Sequence, residues 1–193
     1  GMFAPKNRGK KIESTEEGCP VSQHLLRHGY LADEELDSYP GVTHMAGVHP
    51  VIECTQNIPC NPCQDACKKG CISIGDHITS LPIVVEDSHC IDCGMCVASC
   101  PGQSIFLVNE DCGDGGATVT LPYEFYPLPQ VGDCGYALSR SGEPVCDAQV
   151  VRVRSVKAFD KTALVTMSVP KEFAMAARMF KPAEETEEVA CHE

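Results

Sequence analysis

The alternation of apolar and polar residues is clearest in the second half of the chain, where it predicts β-strands. Val151 and Val153 alternate with Arg152 and Arg154, which is the two-residue period of a strand with one buried face. Gly, Pro and Asp turns separate this segment from its apolar neighbours. The predicted strands are 118–121, 135–138, 145–156 and 164–169. Four or five strands of this length predict a small β-barrel or sandwich.

Helical patterns are short and lie towards the two ends of the chain. Residues 18–47 combine a Cys-Pro start, spaced leucines and an acidic triplet, so they predict a helical arm. Residues 171–180 predict one further short helix. Residues 1–17 are basic and then acidic, which predicts a mobile N-terminus, and residues 182–193 predict a disordered acidic tail.

Composition and charge narrow the class of protein. In this chain of 193 residues, 43% are hydrophobic and 22% are charged, which is typical of a globular protein and not of a disordered chain. The net charge is −12, and residues 12–139 carry 3 basic against 18 acidic side chains. Nucleic-acid binding needs a dominant basic surface. This charge pattern excludes such a surface, and therefore excludes a nucleic-acid-binding protein. The apolar runs are too short to span a membrane and no leader pattern is present, so we expect a soluble, cytoplasmic protein.

Fourteen cysteines are the strongest chemical signal in the sequence. In a reducing compartment they indicate metal ligation and not a disulfide framework. Cys90, Cys93, Cys96 and Cys100, followed by Pro101, give the pattern C-x2-C-x2-C-x3-C-P. Three thiolates on one tight loop reach three corners of an iron–sulfur cube, and the fourth faces away towards a second cluster. A zinc site is the alternative, although zinc sites usually use two C-x2-C pairs.

The upstream half of the cysteine block is less regular and leaves two ligand registers open. Its cysteines are Cys54, Cys60, Cys63, Cys67 and Cys71. In the first register, Cys60, Cys63 and Cys67 bind one cluster and Cys71 crosses over to the other. In the second register, these three take the second, third and fourth positions, with the same spacing as the downstream motif. The first position then falls on Asn57, a poor iron ligand, and Cys54 supplies the missing thiolate.

The block resembles the bacterial two-cluster 4Fe-4S ferredoxins, in which the fourth cysteine is followed by a turn similar to Ala-Ile-Ser. Cys71-Ile72-Ser73 matches that turn if Cys67 is the fourth ligand, so the resemblance favours the second register. It implies two 4Fe-4S clusters, with Cys71 as the alternative ligand. Cluster one is assigned Cys54, Cys60, Cys63 and Cys100, and cluster two is assigned Cys67, Cys90, Cys93 and Cys96. Lys68 replaces the usual proline, and the first ligand is displaced, which leaves open a labile, three-iron or absent cluster one.

This resemblance implies an α+β fold. Residues 48–112 are expected to form a ferredoxin-like two-cluster module, between the N-terminal helical arm and a small β domain over residues 113–181. Short helical turns are expected after Cys63 and Cys96. The module's expected strands are 50–53, 72–74, 83–85 and 105–108.

A wider resemblance indicates a function. The order of the Cys-Pro helix, Ile58-Pro-Cys60-Asn-Pro-Cys63 and a β domain that begins with Thr120-Leu-Pro122 is similar to 4Fe-4S proteins of anaerobes. Those proteins accompany flavin-dependent amine or amino-acid oxidoreductases. The likeness implies a non-enzymatic electron-transfer subunit with a flavoprotein partner. The alternative is a structural or redox-sensing iron–sulfur module without electron-transfer turnover.

The basic side chains of the second half allow two interpretations. Arg152, Arg154, Lys157 and Lys161 form either a docking patch for a partner or a solvated strand face.

Overall fold

One antiparallel sheet organises the molecule. The computed structural model describes residues 21–86, 88–113 and 115–184. The predicted mobile terminus 1–17 and most of the predicted acidic tail lie outside the described residues. The sheet has the strand order β1-β4-β5-β8-β7-β6-β9. Its strands are β1 (His49–Ile52), β4 (Ile105–Asn109), β5 (Gly116–Tyr123), β6 (Cys134–Leu138), β7 (Pro144–Arg154), β8 (Ala163–Pro170) and β9 (Met179–Pro182).

The remaining elements are short and lie beside this sheet. Within the described residues they are the helices α1 (Gln23–His28), α2 (Pro62–Ala66) and α3 (Met95–Ser99), a hairpin of β2 (Ile72–Ser73) and β3 (Ile83–Val84), and three 3₁₀ helices. The helical arm is therefore two short pieces, α1 and a 3₁₀ helix over Asp33–Ser38. Ser22 caps α1 by accepting a hydrogen bond from the Leu25 N–H, and Gly29 ends it in the left-handed conformation. No helix in the described ranges is long and apolar enough to span a bilayer.

The two faces of the sheet pack on different cores. Val119 of β5 and Met167 of β8 are paired and belong to a core that includes residues from all seven strands. On the opposite face, Leu107 of β4 packs into a second core together with the cysteine-bearing segments. Thr120 and Thr166 lie side by side on this face, and their buried hydroxyls are 2.7 Å apart. The sheet therefore packs against the central core on one face and against the cysteine region on the other.

The sheet also crosses the expected boundary at residue 112. β4 pairs with β5 in antiparallel register, with Val108 opposite Val119. The expected ferredoxin-like module contributes β1 and β4, and the expected β domain contributes the other five strands. The two segments therefore share one sheet.

The helix predicted over residues 171–180 is wrong. The structure has a 3₁₀ helix over Lys171–Phe173, and the chain then forms β9, which pairs with β6. Burial explains the difference, because Phe180 is only 2% exposed and packs in the central core. Gly135 of β6 permits this pairing, because a Cβ atom there would overlap the Lys181 carbonyl and the Phe180 ring. Tertiary packing therefore overrides the local helical tendency.

Glu53 joins the two ends of the sheet. It follows β1 at one end of the strand order, yet it accepts a hydrogen bond of 2.6 Å from Nε of Arg178, which precedes β9 at the other end. Arg140, which follows β6, donates two more hydrogen bonds to the same carboxylate. The Arg178 guanidinium also lies over the Phe106 ring, 4.9 Å from its centroid. The sheet therefore curls until this ion-pair network bridges its edges.

Candidate metal centre

The first group of cysteines meets between α2, α3 and the end of β1. Cys54 follows β1, Cys60 precedes α2, Cys63 lies within α2, and Cys100 follows α3. All four line a small cavity of about 30 Å³, whose walls include Ile52 and Ile105. The structure thus brings together the four residues assigned to cluster one, including the displaced Cys54.

The second group meets on the other side of the same two helices. Cys67 follows α2, Cys90 and Cys93 lie on the loop before α3, and Cys96 lies within α3. These four line a cavity of about 200 Å³. Cys71, the alternative ligand, lines the same cavity and is 2% exposed. The structure thus brings together the four residues assigned to cluster two and adds a fifth thiol to them.

The two helices exchange their cysteines in a reciprocal way. α2 carries Cys63, which lines the first cavity, and ends at Cys67, which lines the second. α3 carries Cys96, which lines the second cavity, and ends at Cys100, which lines the first. A three-residue gap after the third cysteine of a motif directs the fourth thiol to the opposite site. This exchange is the geometry that the second ligand register requires.

Burial governs the thiols at both sites. It raises the pKa of Cys54 and of Cys63, and the nearby Cys100 thiol raises both further. At the second site burial raises the pKa of Cys96 most strongly, and the neighbouring Cys90 and Cys67 add to this effect. Several thiolates this close together are unfavourable without a cation. A metal centre that binds them displaces the protons and removes the repulsion.

Hydrogen bonds reach the sulfur atoms at both sites. The Cys71 N–H donates to Sγ of Cys67 over 3.2 Å, and the Ser104 hydroxyl lies 3.5 Å from Sγ of Cys100. Such contacts stabilise negative charge on a ligand sulfur. The backbone of Cys71 therefore supports Cys67, and its side chain lies beside the same pocket.

Two arginines from β7 fasten the loop that carries Cys93. Arg154 Nη1 donates to the backbone carbonyls of Asp92 and Cys93, over 2.8 and 3.1 Å. The Asp92 carboxylate is paired with both Arg152 and Arg154. Two members of the predicted basic group, Arg152 and Arg154, therefore contact the cysteine loop, and the interpretation of the group as a docking patch stays a prediction. Their alternation was visible in the sequence, but nothing there pairs them with an aspartate some sixty residues away.

Gly94 makes this contact sterically feasible. It precedes α3 with a φ of +78°, and a Cβ atom there would overlap the side chains of Leu164 and Arg154. Glycine is thus required at this position for two reasons: the backbone is left-handed, and side chains of β7 and β8 approach it closely.

A buried ion-pair network lies beside the first site. Glu53, Arg140 and Arg178 line a cavity of about 400 Å³ that also touches Cys54 and Cys100. Burial alone would raise the pKa of Glu53, but the adjacent Arg178 and Arg140 hold it below its usual value. Asp33 is the second carboxylate paired with Arg140. Two guanidinium groups are thus balanced by two carboxylates.

The donor set fits a cluster better than a single metal ion. Among the described residues, no three His, Cys, Asp or Glu side chains are arranged to hold a metal ion. A cubane makes a different demand, because each thiolate binds a separate iron at a separate corner. Four cysteines line the first largely apolar cavity and five line the second, and soft thiolate donors of this kind suit iron–sulfur clusters. Nε of Arg154 is also buried without a hydrogen-bond partner in the part of the chain that the structure describes.

Other cysteines and histidines lie apart from these cavities. Cys112 is exposed after β4, and Cys146 lies within β7. His49 is a buried core residue whose ring nitrogens contact the carbonyl groups of Gly47 and Thr43. Cys19 and Cys191 lie outside the described residues.

Comparison with known proteins gives a partial similarity to one curated protein. No family model matches the chain, and no solved structure matches it. The chain is 29% identical over 90 residues to an aliphatic sulfonate oxidoreductase, polyferredoxin-like subunit, of Pyrococcus furiosus. The match covers 44% of this chain and 47% of that relative, so it spans less than half of either. The relative's name agrees, at this coarse level, with an iron–sulfur electron-transfer protein. Neither a cluster count nor a flavin partner is part of that name.

Proposed function

We propose that this chain is a one-electron transfer protein that holds two 4Fe-4S clusters, one in each cysteine-lined cavity. Cluster one would be held by Cys54, Cys60, Cys63 and Cys100, and cluster two by Cys67, Cys90, Cys93 and Cys96. The observation that carries this proposal is the reciprocal exchange of cysteines between α2 and α3. In fold terms, the proposal is a ferredoxin-like module fused through β4 and β5 to a small β domain.

The chain's own residues would control the environment of these centres. When bound, two cubanes would supply one-electron carriers whose potentials depend on charge, hydrogen bonding and exposure. Ile52, Ile105 and Leu107 are at most 2% exposed and exclude water from the floor beneath both cavities. The Cys71 N–H, the Ser104 hydroxyl and the β7 arginines that contact the Cys93 loop would supply positive electrostatic potential. Because no group in the described chain stands out as an acid, base or nucleophile beside a substrate cavity, we assign it no bond chemistry.

The partner we propose is an oxidoreductase, and more finely a flavoprotein. The relative in Pyrococcus furiosus is itself named as a subunit of an oxidoreductase, which supports a role beside an enzyme. Two carriers in one small chain suit a relay between a cofactor that accepts electron pairs and a one-electron acceptor.

Metal analysis tests the cofactor. Anaerobically prepared protein is expected to contain about eight irons and about eight sulfides per chain, with two interacting EPR signals after reduction. About four irons would remove one cluster from the proposal. A colourless protein that contains zinc would contradict it and favour the zinc-binding alternative.

Mixing with an enzyme tests the role. Equimolar addition of the candidate flavin-dependent oxidoreductase, together with its substrate, should accelerate reduction of the clusters. The bleaching of their visible absorbance measures the rate of this reduction. Intact clusters whose reduction is not accelerated would contradict electron transfer with that class of partner. That result would favour a structural or redox-sensing module.

A further inference from the structure

The charges around the two cysteine sites are unequal. Beside the first site, Arg140 and Arg178 are paired with two carboxylates, the buried Glu53 and the exposed Asp33. Beside the second site, Arg152 and Arg154 share one carboxylate, Asp92. Among the residues that the structure describes, the salt bridges beside this loop thus join two guanidinium groups to one carboxylate. Lys68 and Lys69 add further positive charge at the rim of the second cavity, although both are exposed to solvent.

Of the two β7 arginines, Arg154 is better placed than Arg152 to influence the electrostatic potential at the second site. Its side chain is 19% exposed, whereas that of Arg152 is 42% exposed, so its charge is screened less by water. It donates directly to the Cys93 carbonyl and lies 5.8 Å from the centroid of the Phe159 ring. Its buried Nε has no hydrogen-bond partner among the described residues. These contacts hold a guanidinium group in one position against the cysteine loop.

We propose that Arg154, oriented by Asp92, is a positioning residue that makes cluster two the higher-potential cluster of the pair. This inference rests on the proposed function. A 4Fe-4S core with four thiolates carries a net charge of about −2 when oxidised and gains one more negative charge on reduction. A fixed cation nearby stabilises the reduced form more than the oxidised form. The β7 strand would therefore set the direction in which an electron moves between the two sites.

The test is an EPR-monitored redox titration of anaerobically prepared protein. Arg154→Gln should lower the equilibrium constant for reduction of the higher-potential cluster about tenfold, which is about 59 mV for one electron. Asp92→Asn should raise it, because this change removes the compensating negative charge. Arg154→Lys keeps the charge and should retain most of the wild-type potential. Lys171→Gln is the matched control, since Lys171 follows β8 at the end opposite to Leu164.

The opposite signs distinguish electrostatic positioning from support of the fold. Loosening of the loop would shift the Gln, Asn and Lys variants in the same direction. Shifts of equal sign, no shift, or a shift confined to the lower-potential cluster would overturn the proposal. If Arg154→Gln fails to retain both clusters, Asp92→Asn and Arg154→Lys decide. Wild-type protein with about four irons would lack one of the two proposed clusters, and this inference would then fail before any variant is titrated.

Discussion

The two cysteine sites are built from the same pair of helices but differ in almost everything around them. The first site is a cavity of about 30 Å³ beside the buried ion pairs of Glu53 with Arg140 and Arg178, and its first cysteine comes from the end of β1. The second is a cavity of about 200 Å³ with five cysteines, fastened by arginines from β7. Reciprocal helices therefore supply the ligand pattern, whereas the sheet supplies the difference between the sites.

The largest expected difference between the two sites is the loss of iron after one cysteine is removed from each cavity. Cys54→Ala should lose about half of the iron, because among the described residues only Cys60, Cys63 and Cys100 then remain to line the first cavity. Cys71→Ala should retain about all of it, because Cys67, Cys90, Cys93 and Cys96 remain in the second cavity. Iron and sulfide analysis of anaerobic protein measures both. The reverse outcome, with iron kept in Cys54→Ala and lost in Cys71→Ala, would establish the first ligand register instead.

The ion-pair networks beside the two sites should differ in their contribution to stability. Glu53→Gln leaves Arg140 and Arg178 buried beside a neutral side chain, and this change should lower the free energy of unfolding by about 3 kcal/mol. Asp92→Asn breaks partly exposed contacts and should lower it by about 1 kcal/mol. Chemical denaturation followed by circular dichroism measures both changes. Glu143→Gln, at an exposed position, is the control. Equal losses for Glu53→Gln and Asp92→Asn would contradict the distinction between the networks.

Acid should weaken the Glu53 network in a defined direction. The arginines hold the pKa of Glu53 below its usual value in the folded protein, despite burial. Its contribution to stability is therefore fully present above the unfolded-state pKa and is lost as the pH falls through the folded-state pKa. The difference in unfolding free energy between wild type and Glu53→Gln should shrink on acidification. A difference that stays constant down to acid-denaturing pH would show that Glu53 does not supply it.

The sequence predicts the local elements of this fold better than their assembly. The alternation of Val151 and Val153 with arginines predicts the strand β7, although Val151 is itself 40% exposed and the register shifts between Val150 and Arg152. The cysteine spacings leave two ligand registers open, and the resemblance to two-cluster ferredoxins favours the register whose thiols line common cavities. Phe180 was placed in a helix because its strand partner β6 is some forty residues away and leaves no local signal. The contact of Arg154 with Asp92 was missed for the same reason. Tertiary contacts between distant segments decide both cases, and periodicity contains no information about them.

The last prediction concerns how closely the sheet approaches the second site, and it depends on a small difference between two variants. Gly94→Ala must place a methyl group in a left-handed position and against Leu164, so it should lower the free energy of unfolding by about 2 kcal/mol. Gly142→Ala is the matched control, because its φ of +86° imposes the same backbone strain with nothing within 4 Å of the added carbon. It should lower the free energy of unfolding by about 1 kcal/mol. Denaturation of both variants isolates the contact with Leu164, since the backbone term is common to the two. Equal losses would mean that Leu164 moves aside freely, and the second site would then be less firmly seated on the sheet than the contacts of Arg154 indicate.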